Sequence, residues 1–280
     1  MGQLDKKSML CPGCGRLISS DEPSCPFCGL VNPGSPIRKS LSRFSLRDGD
    51  SIIQFIIYAN AAIFVLALVL KPSEMGMSLN PFTLLSPSST SLMLLGATGT
   101  FPIDYYHRWW TLLTASWLHG GILHIAFNML ALHQLGPFVA QEYGTARFLV
   151  VYLASGICGF LLSYLVGIPF TLGASAAVCG LIGAILYYGK SRGGSFGTAI
   201  YRQAMGWIIG LILFGLLLPG INNWAHGGGI AAGIAAGFAL GYDERRRETL
   251  AHRMAAAVLA LATAVAVAFT IVQAFLIRFS

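Results

Sequence analysis

Charged residues are almost absent from a long part of this sequence, and no other feature restricts its fold as strongly. Between Arg147 and Asp243 the charged residues are Lys190, Arg192 and Arg202 alone. Over the chain of 280 residues, 55% of the side chains are hydrophobic and 10% are charged. Soluble domains carry about 25% charged residues. The sequence therefore predicts a protein that crosses a lipid bilayer several times.

The uncharged intervals give the number of crossings, because a helix that spans the hydrocarbon core needs about 20 apolar residues. Helix-breaking Gly and Pro residues at 167–169 and 219–220 divide the two longest intervals into two helices each. Pro81 and Pro87 favour a long loop over 75–103, outside the membrane or half-inserted into it. We predict an all-α polytopic membrane protein with seven spans, at about 51–70, 115–136, 147–166, 174–189, 203–219, 225–242 and 254–277.

The distribution of Lys and Arg predicts the orientation, because these residues accumulate in cytoplasmic segments. With a cytoplasmic N-terminus, the outer segments hold Lys71, Arg108 and Arg278, and the inner segments hold the remaining 15 of the 18 basic residues. We therefore expect the N-terminus inside and the C-terminus outside, in a plasma or inner membrane. A polar stretch of about fifty residues precedes the first apolar run, so no signal peptide is expected. The net charge of +7 follows from this topology and gives no indication of nucleic-acid binding.

Two Cys-X-X-Cys pairs lie near the N-terminus, and each is followed by a glycine that permits a tight turn. Four thiolates at this spacing can hold one zinc ion in tetrahedral coordination, leaving no open position for catalysis. The alternative is two disulfides, which a reducing cytoplasm disfavours. The sequence predicts a small structural zinc ribbon over 1–34, with a basic linker over 35–50 that lies against anionic headgroups. The predicted ligands of the zinc ion are Cys11, Cys14, Cys25 and Cys28.

A few polar residues occur inside the predicted spans, where they are costly and hence candidates for function. They are His119, His124, Asn128, Ser175 and His226. His124 and Asn128 are four residues apart, on one helix face. With the orientation above, three separate helices present polar groups at similar depth in the extracytoplasmic half of the membrane. Singly, each serine or histidine could be a packing residue satisfied by an interhelical hydrogen bond.

Taken together, these residues indicate hydrolysis by an activated serine. A serine hydroxyl needs a base to become nucleophilic, and an imidazole is the usual one. No Asp or Glu occurs from 143 to 242, so Ser175 and His226 would form a dyad without a carboxylate. His124 and Asn128 offer N–H donors for the oxyanion of a tetrahedral intermediate. The sequence has neither the paired aspartates nor the HExxH motif of other intramembrane proteases, and no cofactor is expected for catalysis.

A serine and a histidine on different spans must come within hydrogen-bonding distance, which requires close helix packing. Glycines repeat every fourth residue of the sixth span, and the fourth span has a weaker stripe at Gly180 and Ala184. Small residues allow helices to approach closely. We therefore expect spans four and six to touch, although generic glycine-mediated packing would give the same pattern. The stripe of the sixth span comprises Gly229, Gly233, Gly237 and Gly241.

These motifs resemble the rhomboid family of intramembrane serine proteases. The resemblance lies in His119, in His124-Ile-Ala-Phe-Asn128, in Gly173-Ala-Ser175 followed by Gly180-Leu-Ile-Gly183, and in His226 before a glycine-rich helix. It implies a six-helix core over 51–243, with 254–277 as an added seventh helix. It also implies Ser175 as nucleophile, His226 as general base and acid, His124 and Asn128 at the oxyanion hole, and His119 bracing the first loop.

The sequence departs from the family pattern at two places. Ala176 follows the serine where the family usually has glycine. The family's Trp-Arg loop motif reads Trp109-Trp110-Thr111, with Arg108 displaced. Neither change removes a catalytic atom.

The leading hypothesis is cleavage of single-span membrane proteins near their extracytoplasmic end. The alternative is a non-catalytic rhomboid-like protein that binds and escorts transmembrane clients, for which Ser175 and His226 would be dispensable. A channel or transporter would need a charged path through the membrane, which is absent. The zinc ribbon is expected to recruit a cytoplasmic partner or substrate.

Overall fold

The computed structural model of the chain describes residues 8–11, 16–20, 22–33, 49–71, 84–218 and 220–279. They belong to two compact units, Met1–Ile52 and Ile53–Ser280.

The N-terminal unit contains a small antiparallel hairpin. Strands β1 (Ser8–Leu10) and β2 (Leu17–Ser19) pair with Met9 opposite Ile18. Further on, Gly29 has a φ of +71° and its amide donates to the Cys25 carbonyl at 2.9 Å, which closes the turn predicted after this pair of cysteines. A minimal core of Cys11, Ile18 and Cys25 holds the unit. A core this small needs further stabilisation, as metal binding would supply.

Seven long helices lie in the described residues of the chain, and each corresponds to one predicted span. Five of them (α1, α2, α3, α5 and α7) are long and apolar enough to cross a membrane. The seven are α1 (Gly49–Leu70), α2 (Ile122–Tyr143), α3 (Thr145–Leu165), α4 (Ser175–Arg192), α5 (Gly194–Leu217), α6 (Asn223–Leu240) and α7 (Leu250–Phe279). The prediction of an all-α polytopic membrane protein is confirmed.

Helices α4 and α6, with 18 residues each, are the shortest of the seven, and α4 is buried along most of its length. The strongest helix contacts are those of α6 with α4 and with α3. A methyl group at Gly233 would overlap the Gly180 carbonyl, and one at Gly183 would overlap the Ile230 carbonyl. The backbones of α4 and α6 are thus in direct contact, so the predicted packing of spans four and six is confirmed.

Three predicted boundaries were wrong by about two turns or more, including the end of the second span, which was predicted at 136 whereas α2 ends at Tyr143. The second span was predicted from 115 to 136, but α2 begins at Ile122, because Leu118 is extended and Gly120 and Gly121 interrupt the helix. His124 therefore lies in the first turn of α2 and not two turns inside it. The fifth span was predicted from 203, but α5 already begins at Gly194. Arg202 belongs to the helix, since a polar residue near a helix end can extend into the headgroup region.

The first loop, between α1 and α2, contains several short helical segments in its described part. They are Ser89–Leu95, Phe101–Tyr105, Thr111–Thr114 and Ala115–Trp117. The loop is tied internally, because Thr114 Oγ1 donates to the Gly96 carbonyl at 2.7 Å and Thr111 Oγ1 lies 3.0 Å from Thr98 Oγ1. The long loop predicted over 75–103 is thus locally ordered from residue 84 onward.

Helix α7 covers the first loop. It packs against the segments Ser89–Leu95 and Thr111–Thr114 and against α3. The Trp110 and Phe269 rings meet edge to face with their centroids 5.2 Å apart. Ala274 completes an apolar cluster that also includes residues of α1 and of the first loop. The added seventh helix is therefore part of the scaffold around this loop.

Arg147 holds the end of α6 that is far from His226. Its buried guanidinium donates to the carbonyls of Gly241 and Arg246 at 2.8 and 2.7 Å and pairs with Asp243. Those carbonyls have no partners within a helix, so the charge satisfies them.

A second ion pair lies nearby. Arg192 donates to both carboxylate oxygens of Glu244 and holds the pKa of that carboxyl below its ordinary value.

Candidate active site

Ser175 is the first residue of α4, and the turn before it requires glycine. Gly173 has a φ of +125°, and a Cβ at this position would come 2.6 Å from Nε2 of His124. The Gly173 amide donates to the Ala115 carbonyl of the first loop at 2.9 Å. This turn places the Ser175 hydroxyl and its backbone N–H at a helix N-terminus, where amide groups lack intrahelical partners.

His226 lies in the first turn of α6 and faces Ser175 across the contact between α4 and α6. Its Nε2 is 2.8 Å from Ser175 Oγ, within the range of a good hydrogen bond. The two residues are 51 positions apart in the sequence, so the tertiary packing of the helices creates this contact. The structure brings together the serine and the histidine that the sequence singled out.

Among the described residues, no carboxylate orients the other ring nitrogen of His226. Nδ1 is buried and has no hydrogen-bond partner among the described residues. With Nε2 accepting the serine proton, Nδ1 would carry the ring proton of the neutral imidazole. The geometry is therefore that of a dyad, in agreement with the lack of acidic residues over 143–242.

His124 lies directly beside the serine turn. Its Nδ1 accepts a hydrogen bond from the Gly120 amide at 3.3 Å, which leaves the proton of the neutral ring on Nε2. Nε2 is the atom that faces Gly173, and a Cβ at Gly173 would lie 3.8 Å from Ser175 Oγ. An N–H donor thus points to the space next to the nucleophile.

Asn128 and His119 support this region in different ways. Asn128 is buried one turn after His124 and donates to the His124 carbonyl at 2.9 Å, which occupies one of its two amide hydrogens. His119 is fully buried, with its ring edge-on to that of His124 at 5.1 Å. Its ring nitrogens have no hydrogen-bond partner in the described part of the chain, so its contact with His124 is one of packing.

The first loop is joined to the loop that precedes Ser175. Thr98 and Thr171 exchange both backbone hydrogen bonds, at 3.0 and 2.7 Å, and the Thr100 amide donates to the Ile168 carbonyl at 2.9 Å. Arg108, displaced relative to the family motif, donates to the Met93 carbonyl at 3.1 Å. It therefore still anchors the loop, through a backbone acceptor.

Asn222 is a polar residue of the site that the sequence indicated only as part of a helix break. In the structure its side chain links three elements: the start of α6, Ser163 of α3 and Thr171 of the serine loop. A polar residue just before a helix is a typical N-cap, which was a usable signal for the capping role. The contacts to Ser163 and Thr171 arise from tertiary packing, and nothing local in the sequence indicates them.

The cysteine cluster of the N-terminal unit fits a metal ion. The ligand atoms of Cys11, Cys25 and Cys28 lie within 4.8 Å of one another, and Sγ of Cys11 is 3.7 Å from Sγ of Cys28. Thiolates bound to tetrahedral zinc at about 2.3 Å lie about 3.8 Å apart, whereas a disulfide would bring the sulfurs to about 2 Å. Cys14, the fourth predicted ligand, lies outside the described residues.

Comparisons with known proteins identify the domain that contains this site. The family model described as "Rhomboid domain" matches residues 106–243. "Rhomboid protease GluP" of Bacillus subtilis (strain 168) is 42% identical over 123 residues, which are 44% of this chain and 24% of that protein. "RHOMBOID-like protein 7" of Arabidopsis thaliana is 33% identical over 196 residues, covering 64% of this chain and 62% of the relative.

A further relative bears on activity. "Inactive RHOMBOID-like protein 8" of Arabidopsis thaliana is 33% identical over 155 residues, 54% of this chain and 44% of that protein. The chain thus spans less than two thirds of the length of each of these relatives. Similar sequences include a named protease and a protein named as inactive, so the argument for activity rests on the geometry of the site.

Proposed function

Because the chain carries a rhomboid domain, we propose that it is an intramembrane serine endopeptidase that cleaves transmembrane segments of other membrane proteins. The observation that carries the proposal is the distance of 2.8 Å between Ser175 Oγ and His226 Nε2. A nucleophile and its base within hydrogen-bonding reach are the minimum for covalent hydrolysis. The dyad replaces the triad of many soluble serine proteases.

The reaction follows from this geometry. His226 Nε2 takes the hydroxyl proton while Ser175 Oγ attacks the carbonyl carbon of the scissile peptide bond. His226 then gives that proton to the departing amine, which leaves an acyl ester on Ser175. A water molecule, deprotonated by the same imidazole, attacks the ester carbonyl. Its proton returns to Oγ, so the carboxylic acid product leaves and the enzyme is regenerated.

The oxyanion of each tetrahedral intermediate needs hydrogen-bond donors. The proposed donors are Nε2–H of His124 and the backbone N–H of Ser175, with the second amide hydrogen of Asn128 as a further candidate. One such side-chain donor is worth about 2.7–4 kcal/mol of transition-state stabilisation. Because Gly120 occupies Nδ1 of His124, the donor on Nε2 is set before substrate binds.

The substrates are proposed to be single-span membrane proteins. The distribution of Lys and Arg supports a cytoplasmic N-terminus and an extracytoplasmic C-terminus for the proposed enzyme. Under this topology Ser175 lies in the extracytoplasmic half of the membrane, and cleavage occurs near that face. Small or helix-weakening residues at the cleavage site favour the reaction, because the carbonyls of an intact helix are already hydrogen-bonded.

The N-terminal unit is proposed to be a structural zinc ribbon over 1–34. Cys11, Cys14, Cys25 and Cys28 would hold the ion, and the metal would stabilise a unit that has little core of its own. A role in recruiting a cytoplasmic partner or substrate is part of this proposal. Residues 35–50 link the ribbon to the six-helix core over 51–243, and 254–277 belongs to the added helix.

The competing function is a non-catalytic escort of transmembrane clients. The polar contact between Ser175 and His226 favours the enzyme, since an escort has no use for a paired nucleophile and base. The two functions differ in one prediction: an escort keeps binding clients when either residue is replaced, whereas the enzyme loses turnover.

The test is labelling of the purified protein by a fluorophosphonate serine-hydrolase probe, together with cleavage of a single-span reporter. Ser175→Ala is expected to abolish both readouts, and His226→Ala is expected to reduce them at least 10³-fold (an order-of-magnitude estimate). Matched controls are Ser195→Ala and His133→Ala, two exposed positions away from the site. Wild-type protein that is folded, unlabelled and unable to cleave would favour the escort. Full activity in Ser175→Ala would end the proposal.

A further inference from the structure

Asn222 makes three side-chain hydrogen bonds at the start of α6, and they join three different elements. Its Oδ1 accepts from the Ala225 amide at 3.1 Å, which caps α6. Its Nδ2 donates to Ser163 Oγ of α3 at 2.6 Å and to Thr171 Oγ1 at 3.0 Å. One side chain thus uses its acceptor inside its own helix and both donors outside it.

The partners of Asn222 are themselves fixed. Ser163 is fully buried and Thr171 is buried in the loop that leads into α4. Thr171 exchanges two backbone hydrogen bonds with Thr98 of the first loop. The two amide hydrogens of Asn222 therefore join α6 to buried parts of the core.

The same residue is connected to both members of the dyad. The His226 amide donates to the Asn222 carbonyl at 3.2 Å, so His226 lies one helical turn after it. Thr171 lies four residues before Ser175 on the short segment that enters α4. A single amide group therefore links the helix turn that carries the base to the loop that carries the nucleophile.

We propose that Asn222 is a positioning residue that holds His226 within hydrogen-bonding distance of Ser175; this inference rests on the proposed serine-protease function. Asn222 touches neither reacting atom, and it acts through the first turn of α6. Helix ends fray easily, and Gly220, two residues before the cap, offers little resistance to such motion. Without the tether, the first turn of α6 and its imidazole would shift away from a contact that tolerates only a few tenths of an ångström.

The decisive variant is Asn222→Ser, which separates capping from tethering. Serine is as good an N-cap as asparagine, but its side chain is too short to reach Ser163 and Thr171. Thr171→Val removes one acceptor from the other side of the contact while keeping the side-chain shape. Thr198→Val is the matched control, since this threonine is exposed near the start of α5 and bonds only within its own helix.

We expect Asn222→Ser and Thr171→Val each to lower the rate of fluorophosphonate labelling and kcat by about tenfold, the order of loss that one or two neutral hydrogen bonds correspond to. KM should stay unchanged, because the tether does not contact substrate. The double variant should lose little more than Asn222→Ser alone, since the two residues act through one contact. Thr198→Val should behave like wild type in both readouts.

Three outcomes would overturn the inference. The first is a labelling rate in Asn222→Ser equal to that of wild type. The second is a double variant whose loss of kcat equals the product of the two single losses. The third is a loss of kcat that is accompanied by a lower Tm and a higher KM, which a merely structural role would produce. Ser175→Ala and His226→Ala run beside these variants distinguish the two levels of the argument. If the wild type is labelled and Asn222→Ser is labelled at the same rate, the tether is refuted and the proposed function stands. Unlabelled wild type refutes the proposed function, and the tether with it.

Discussion

Ala176 follows the serine at a position where rhomboids usually carry glycine, and the structure has room for its methyl group. Ala176 is fully buried in a small cluster with Ala115, Phe160 and Ala225. The space comes from Gly159 of α3, because a Cβ there would lie 2.9 Å from that of Ala176. The alanine at 176 and the glycine at 159 thus form a complementary pair.

We predict that Ala176→Gly lowers the free energy of unfolding by about 1 kcal/mol, the cost of glycine inside a helix, without raising kcat. The measurement is thermal unfolding in detergent beside cleavage of the reporter. Ala177→Gly is the matched control, since it makes the same change at the next buried position of α4. A kcat that rises in Ala176→Gly and not in Ala177→Gly would mean that the methyl group restricts the oxyanion turn.

Individual residues of the site could be predicted because each is chemically unusual for its surroundings. Ser175, His226 and His124 are polar groups in apolar helices, and the structure gathers them at one place. The contacts of Asn222 could not be predicted, since its acceptors lie 59 and 51 residues away in the sequence. Which ring nitrogen of His124 carries the proton could not be predicted either, because this depends on the backbone amide of Gly120.

At the scale of whole helices, the contact between α4 and α6 determines whether the dyad can form. A methyl group at Gly229 would overlap the Ala176 carbonyl, and one at Gly233 would overlap the Gly180 carbonyl. These glycines lie one and two turns below His226, on the same face. The separation of the two helix axes and the distance between Ser175 and His226 are thus set by the same small residues.

We predict that Gly233→Val forces α4 and α6 apart and lowers both Tm and the labelling of Ser175, with at least a tenfold loss of cleavage, since a small misplacement of catalytic groups can cost about 10²-fold. Gly206→Val is the control, because nothing lies within 4 Å of a Cβ at that position of α5. Near-wild-type labelling in Gly233→Val would show that the dyad does not depend on this backbone contact.

The number and type of helices could be read from the sequence, whereas three of their ends could not. Apolar stretches and breaks at Gly-Pro and Pro-Gly gave seven spans, and seven long helices are found among the described residues. The start of α2 was misplaced because Trp117 and Leu118 are apolar but belong to the first loop, where α7 and α1 cover them. Hydropathy reports burial, and a loop buried against protein gives the same signal as a span.

At the scale of the whole molecule, the chain combines a small cysteine-bearing unit with a helical membrane core, and the two are separate compact units at 1–52 and 53–280. The cysteines predicted the first unit through their spacing alone, and three of the four lie close together in the structure. Its fold could be predicted only as far as the ligand pattern, since few other residues of the unit are buried.

We predict that the purified protein holds one zinc ion, and that Cys25→Ser removes it and destabilises the N-terminal unit. Elemental analysis gives the metal content, and limited proteolysis reports on folding of the unit. Labelling of Ser175 should be unchanged, because the cluster lies outside the unit that contains the dyad. Cys158→Ser, at an exposed position of α3, is the matched control. Full zinc content in Cys25→Ser would exclude this cluster as the site.

The packing of α7 on the first loop has a consequence for the order in which the proposed enzyme matures. Helix α7 follows the serine and the histidine in the chain, so during synthesis it leaves the ribosome after both of them. The segments Ser89–Leu95 and Thr111–Thr114 gain their contacts with α7 only then. Because that loop pairs with the segment before Ser175, we infer that the proposed hydrolytic site is complete in a nascent chain only once α7 has been inserted. Such a delay would keep the proposed protease from cleaving neighbouring membrane proteins before its scaffold is complete.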